Sequence, residues 1–160
     1  MSRSIDAALV IIHKKLIEKS WTIATAESLT AGMVASTLAS QSGASAYLAG
    51  GIVAYTRAVK TNLLGVNREL AERTNCVDPT VAKQMAYGAI KLTGADVSIA
   101  TTGYAESPMP GVDAYAYVHI IAGDRVKALT VEAPSHHDNR NAMRQRVVET
   151  ALLSLIGMLS

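Results

Sequence analysis

Short apolar runs alternate along this chain with segments whose apolar residues recur every three or four positions. The spacing of three to four is that of one face of an α-helix, and short apolar runs between turn residues are typical of buried strands. A chain that alternates the two in this way packs helices against both faces of a sheet. The sequence therefore predicts an α/β fold, a three-layer α/β/α sandwich with a mixed sheet.

Turn and capping residues place the individual elements. Asp78 and Pro79 predict a helix start, because aspartate caps a first turn and proline suits the first helical position. Asp138 is the expected cap of a last helix, and adjacent glycines at 50 and 51 inside a strand indicate a bulge or a close backbone approach. A turn at 122–125 predicts a hairpin. The predicted strands are 21–25, 47–55, 97–102, 114–121 and 126–131.

Length and composition exclude several classes of protein. The 160 residues suit one domain, 1–160, and 49% hydrophobic against 18% charged residues argues against disorder. A net charge of +2 does not indicate nucleic acid or an anionic membrane as partner. A single cysteine, Cys76, excludes an internal disulfide and fits a reducing compartment. With no signal-peptide pattern and no apolar run of membrane length, we expect a soluble cytoplasmic domain.

Residues 25–32, Thr-Ala-Glu-Ser-Leu-Thr-Ala-Gly, lie where an apolar strand gives way to a helical pattern. A strand that turns directly into a helix leaves backbone N–H groups unpaired, and together with the helix dipole these favour a phosphate or a carboxylate. The alternative is a helix cap in which Ser28 or Thr30 satisfies the N–H groups and binds nothing. The spacing leaves both interpretations open.

Ser45, Tyr55 and Lys60 flank the second predicted strand. A serine becomes a nucleophile when a neighbour removes its proton, and a lysine does so when burial lowers its pKa. These three residues are therefore a candidate Ser/Lys/Tyr site. The alternative is a turn serine, a core tyrosine and a surface lysine.

Further candidate binding residues follow the third long strand and begin the last helix. Thr102 and Gly103 end a strand, and ligands of open α/β sheets gather at the carboxyl ends of strands, where Glu27 is also expected. Arg140 and Arg144 lie four residues apart on one helix face, which suits the binding of a phosphate. The alternatives are threonines that only pack and arginines on a solvated face.

We expect no metal site in this chain. His136 and His137 are neighbours that point apart in an extended chain, no cysteine lies near them, and Asp138 is explained as a cap. Cys76 has no adjacent basic residue to activate its thiol, so we interpret it as structural.

These blocks together resemble the C-terminal domain of the CinA competence/damage-inducible proteins, the nicotinamide-nucleotide amidohydrolase family. The resemblance extends from about Ile5 to the end of the chain. The blocks that carry it are Thr25-Ala26-Glu27-Ser28-Leu29-Thr30-Ala31-Gly32, Gly43-Ala44-Ser45, Gly51-Ile52-Val53-Ala54-Tyr55, Lys60, Leu64-Gly65-Val66, Gly94-Ala95-Asp96-Val97 and Thr102-Gly103.

The resemblance implies hydrolysis of the carboxamide of nicotinamide mononucleotide to the acid nucleotide and ammonia. It implies Ser45 as nucleophile, Lys60 as its base and Tyr55 as an assisting residue. It also implies a small-molecule substrate, no metal or other cofactor, and a tendency to form homo-oligomers. The residues expected to hold the substrate are Glu27, Ser28, Thr30, Gly32, Thr102, Gly103, Arg140 and Arg144.

This sequence departs from the family pattern in two loops. The family's Ser-Cys-Thr-Gly-Gly appears here as Ser-Leu-Thr-Ala-Gly at 28–32, which adds a Cβ at position 31. The family's Gly-Ile-Ala-Gly-Pro and Lys-Pro-Val-Gly-Thr are replaced by residues 103–112, where Tyr104 would crowd a phosphate and Glu106 would repel it. Two hypotheses follow: an amidohydrolase-like enzyme, or a non-catalytic relative that binds a small molecule or a partner in the same cleft.

Overall fold

The computed structural model describes residues 3–133 and 139–160, and within them the strand and helix order matches the alternation in the sequence. The strands are β1 Ile23–Glu27, β2 Leu48–Val53, β3 Val97–Gly103, β4 Tyr115–Ala122 and β5 Arg125–Glu132. The helices are α1 Arg3–Lys19, α2 Met33–Ala39, α3 Arg57–Leu64, α4 Arg68–Arg73, α5 Pro79–Thr93 and α6 Arg140–Met158, and a short 3-10 turn spans Ala44–Ala46.

The strands form one mixed sheet in the order β2-β1-β3-β4-β5. β1 runs parallel to both β2 and β3, whereas β4 is antiparallel to β3 and to β5. One apolar core joins α1, α2 and α6 to one face of this sheet, and a second joins α3, α4 and α5 to the other. The predicted three-layer sandwich is confirmed, and the carboxyl ends of β1, β2 and β3 meet at one edge.

Local side-chain chemistry explains most helix starts. The side chain of Asp78 accepts from the backbone N–H of Thr80, with Pro79 in the first turn, as predicted. The cap of α6 is Asn139, whose side chain accepts from Ala142. Asp138, the expected cap, lies outside the described residues, as do His136 and His137.

β1 begins two residues later than predicted, at Ile23 rather than at 21. The backbone N–H of Trp21 donates to the carbonyl of Leu16 at 2.9 Å, so Trp21 closes the end of α1 and does not join the sheet. The next residue, Thr22, donates from its backbone to the carboxylate of Asp96 at 2.9 Å.

Both predicted reasons for the adjacent glycines of β2, a bulge and a close approach of another element, are observed. The register moves from Ile23 opposite Leu48 to Ala24 opposite Gly50, which is a bulge. A Cβ on Gly51 would stand 2.6 Å from the Cβ of Ala35, so α2 crosses β2 too closely for any side chain. Within the described part of the chain, every helix is too short or too polar to cross a bilayer.

Candidate active site

A cavity of about 510 Å³ opens at the sheet edge where β1, β2 and β3 end. Its walls are the loop after β1, the start of α3, residues 75–77, the loop 103–108 after β3, and the first residue of α6. Such a crevice outside the carboxyl ends of parallel strands is the usual ligand site of an open α/β sheet. The wall residues combine two serines, a lysine, two arginines and a glutamate with two tyrosines.

A hydrogen-bonded serine and lysine form the centre of this cavity. Ser28 follows β1, and Lys60 lies on the buried face of α3, one turn before Leu64. The side chain of Lys60 is 1% exposed, and its Nζ lies 2.9 Å from the Oγ of Ser28. A lysine buried this completely is rare unless its amine is paired or its charge is lost.

Burial makes Lys60 easier to deprotonate than an exposed lysine. Burial lowers the pKa of Lys60 below its ordinary value of 10.5, and the nearby Cys76 thiol opposes this shift more weakly. The amine also donates to the carbonyls of Ala54 at 2.7 Å and Tyr55 at 3.2 Å. In the structure Nζ also donates to the Oγ of Ser28. Once the amine has lost a proton, two N–H bonds remain for the carbonyls and the lone pair can accept the proton of Ser28.

Ser45, the nucleophile expected from the sequence, is not near Lys60. It is exposed in the 3-10 turn that precedes β2, whereas Lys60 follows β2. β2 is six residues long, so at 3.3 Å per residue about 20 Å of strand separates the two edges of the sheet. The predicted contact between Ser45 and Lys60 is therefore wrong, and Ser28 takes that place beside the amine.

Tyr55 and Arg140 form the rim of the cavity together with Glu106. The hydroxyl of Tyr55 accepts from the guanidinium of Arg140 at 2.7 Å, and the same guanidinium donates to the carboxylate of Glu106 at 3.2 Å. Tyr55 therefore contacts Lys60 through its backbone carbonyl, while its phenol points to α6.

The N-terminus of α2 binds an anion, but that anion is Glu27 of the chain itself. Its buried carboxylate accepts from the backbone N–H groups of Gly32, Val34 and Ala35 at 2.8–3.0 Å, and from the hydroxyl of Thr25 at 2.9 Å. Glu27 is thus a helix cap, and its expected role in holding substrate is wrong because both carboxylate oxygens are occupied. The cap is neither Ser28 nor Thr30.

Thr30 and Gly32 stabilise the loop after β1 and are not among the residues of the cavity wall. The hydroxyl of Thr30 is buried and bonds the hydroxyl of Thr101 at 2.7 Å. Gly32 has a φ of +93°, a left-handed conformation that suits glycine, and its N–H is the one held by Glu27.

Arg144 holds the loop after β1 from outside. Its guanidinium donates to the carbonyls of Leu29 at 2.9 Å and Thr30 at 3.0 Å, and to the side chain of Asn141 at 3.0 Å. Three of the five N–H donors of Arg144 are thus used on the protein, and Arg144 does not line the cavity, so this arrangement does not support the expected grip on a phosphate.

Thr102 and Gly103 line the cavity, and their expected role in holding substrate stays a prediction. The hydroxyl of Thr102 donates to the carbonyl of Cys76 at 2.7 Å, so it fixes the wall formed by residues 75–77. A Cβ on Gly103 would stand 2.5 Å from the Cα of Ala116, so packing between β3 and β4 explains this glycine.

Several wall residues were not predicted from the sequence. Asn75 and Cys76 both have positive φ, at 50° and 63°, and the amide of Asn75 donates to the hydroxyl of Tyr104 at 3.1 Å. Arg57, in the first turn of α3, pairs with Glu72 at 3.5 Å. Within residues 3–133 and 139–160, no cluster of three His, Cys, Asp or Glu side chains is arranged to hold a metal ion.

Comparison with known proteins supports the resemblance seen in the sequence. The family model for the CinA C-terminal domain matches residues 6–159. A CinA-like protein of Mycolicibacterium vanbaalenii is 40% identical over 153 residues, which are 93% of this chain and 36% of that protein. The chain therefore spans little more than a third of the length of this curated relative.

Solved structures agree with the fold. A competence/damage inducible protein from Agrobacterium tumefaciens is 28% identical and superposes with a TM-score of 0.86, covering 100% of this chain and 98% of that one. A competence or damage-inducible protein from Enterobacter asburiae reaches a TM-score of 0.90 over 99% and 100% of the two chains at 23% identity, which speaks for the fold alone.

Proposed function

The chain belongs to the family of CinA C-terminal domains, and on that premise we propose that it is an amidohydrolase, which converts a carboxamide to a carboxylate and ammonia. The observation that carries the proposal is the 2.9 Å contact between Ser28 Oγ and the buried Lys60 Nζ at the cavity wall. The resemblance implies that the carboxamide is that of a nicotinamide nucleotide.

In the first half of the reaction Ser28 attacks the substrate. The neutral amine of Lys60 takes the hydroxyl proton as Oγ forms a bond to the carbonyl carbon. Lys60 then gives that proton to the amide nitrogen, the C–N bond breaks, and ammonia leaves. The substrate's acyl group remains on Ser28 as an ester.

In the second half water removes the acyl group. Lys60, neutral again, accepts a proton from water as the oxygen attacks the ester carbon. The bond to Oγ breaks, the proton returns to Ser28, and the carboxylic acid leaves as a carboxylate. Hydrogen bonds to the carbonyls of Ala54 and Tyr55 fix the position of the amine, so that its lone pair faces Ser28 whenever Lys60 is neutral.

A non-catalytic relative is the second candidate. It is favoured by the loop 103–108, which brings Tyr104 and the carboxylate of Glu106 to the cavity wall. Such a protein would bind a small molecule in the cavity, or a partner over it, without hydrolysis.

Ammonia release separates the two candidates. The wild-type chain should release ammonia from a nicotinamide nucleotide or nucleoside. Ser28→Ala should reduce kcat about a thousandfold or more, and Lys60→Met, which keeps the aliphatic stem, about a hundredfold or more. Ser45→Ala is the matched control and should retain activity within about twofold, because Ser45 lies at the other edge of the sheet.

Two outcomes would contradict the proposal. If Ser45→Ala abolished ammonia release and Ser28→Ala did not, the assigned nucleophile would be wrong. If the wild-type chain released no ammonia from either substrate, with its fold verified by circular dichroism, the non-catalytic candidate would be favoured.

A further inference from the structure

The groups that bind phosphate in proteins are backbone N–H groups at helix N-termini, arginines and lysines. Around this cavity the N-terminus of α2 and the two wall arginines, Arg57 and Arg140, already have partners within the protein. At α2 the N–H groups of Gly32, Val34 and Ala35 donate to Glu27. A substrate anion would have to displace a buried carboxylate to bind there.

The arginines near the cavity are paired as well. Arg140 is held by Tyr55 and Glu106, and Arg57 by Glu72. Arg144 is occupied by loop carbonyls and does not line the cavity. The two wall arginines and their two carboxylate partners sum to zero formal charge.

Glu106 has the most direct effect on a ligand. Its carboxylate is an exposed part of the cavity wall and pairs with the guanidinium of Arg140 at 3.2 Å. If a phosphate bound to Arg140, the negative carboxylate of Glu106 would lie beside the negative phosphate. A carboxylate in that position repels a phosphate and attracts a cation such as a pyridinium ring.

We infer that the cavity accepts a carboxamide substrate without a phosphate, of the cationic pyridine nucleoside class, and that Glu106 sets this preference. The inference rests on the proposed amidohydrolase function for its reaction, and it refines the substrate of that site. The wall is compatible with such a ligand because two of its residues, Tyr55 and Tyr104, are aromatic, and aromatic rings attract cations.

The test compares two substrates that differ only in the 5′-phosphate, nicotinamide riboside and nicotinamide mononucleotide. The full chain should hydrolyse the riboside with the higher kcat/KM. Glu106→Gln, which keeps the shape and removes the charge, should raise kcat/KM for the mononucleotide by about tenfold without raising that for the riboside. Glu18→Gln is the matched control, since Glu18 pairs with Lys14 on α1 and should leave the ratio unchanged.

A binding measurement keeps the inference testable apart from catalysis. Calorimetric titration of the Ser28→Ala chain should give a lower Kd for the riboside than for the mononucleotide. Adding Glu106→Gln to the Ser28→Ala chain should reduce the ratio of these two Kd values. Absence of turnover by the wild-type chain would overturn the proposed function and leave this binding result standing. Tighter binding of the mononucleotide, or no binding of either probe, would overturn the inference.

Discussion

Replacing Glu27 by glutamine should lower the free energy of unfolding by about 2–4 kcal/mol. The carboxylate accepts four hydrogen bonds, three of them from the N-terminus of α2. In the best orientation the new amide NH2 faces Thr25, which rotates its hydroxyl to accept. The N–H of Ala35 then has no acceptor, and the helix dipole loses its counter-charge.

The magnitude follows from these two losses. An unpaired donor inside the protein costs about 1–3 kcal/mol, and the missing charge at a partly buried helix N-terminus about 1 kcal/mol or more. Urea denaturation followed by circular dichroism measures the change, with Glu18→Gln as an exposed control expected to stay within about 0.5 kcal/mol. A loss below about 1 kcal/mol for Glu27→Gln would show that the carboxylate does not hold the loop.

Three further results are expected. Because burial lowers the pKa of Lys60, kcat/KM for amide hydrolysis should rise with pH as the amine loses its proton, with a midpoint below pH 10.5. A kcat/KM that does not change with pH below 10.5 would exclude Lys60 as the base. Arg144→Ala should cost about 2 kcal/mol in urea denaturation and lower kcat more than it raises KM, since it releases the carbonyls of Leu29 and Thr30; an unchanged kcat would contradict this positioning role. Ala31→Gly should raise the unfolding free energy by about 0.5–1 kcal/mol, because Ala31 has a φ of 49°; a loss of stability would show that the Cβ packs favourably.

The fold could be predicted from the sequence because its signals are local. Capping at Asp78 depends on neighbours within a few residues, and so does the stop of α3 at Gly65, which has a φ of 70°. The buried face of α1 also follows local helical spacing, with Ile5, Leu9, Ile12 and Leu16 three or four residues apart. The error at Trp21 arose where a contact along the chain, to Leu16, competed with joining the sheet.

The site was harder to predict because it depends on which ends of the strands meet. Ser45 was predicted because it flanks the same strand as Tyr55 and Lys60 and because the resemblance implied it. Parallel pairing of β1 with β2 brings the residues after both strands to one edge, and this selects Ser28, which follows β1, over Ser45, which precedes β2. Topology would have found this residue once the pairing was known.

The partners of charged groups were least predictable. Arg144 meets the carbonyl of Leu29 across 115 residues of chain, and Arg140 meets Tyr55 across 85. Whether an arginine binds a ligand or a carbonyl depends on such tertiary contacts, which the spacing on α6 does not encode. The same holds for Glu27, whose sequence position indicated a strand end and whose contacts make it a cap.

Covalent labelling tests the central assignment most directly, because it needs no knowledge of the substrate. The chain would be treated with phenylmethanesulfonyl fluoride, a neutral reagent for activated serines, and the modified residue located by peptide mass spectrometry. We expect the label on Ser28, and its loss in Lys60→Met. A label on Ser45, or labelling of Ser28 that is unchanged in Lys60→Met, would contradict the assignment of Ser28 and Lys60 as nucleophile and base.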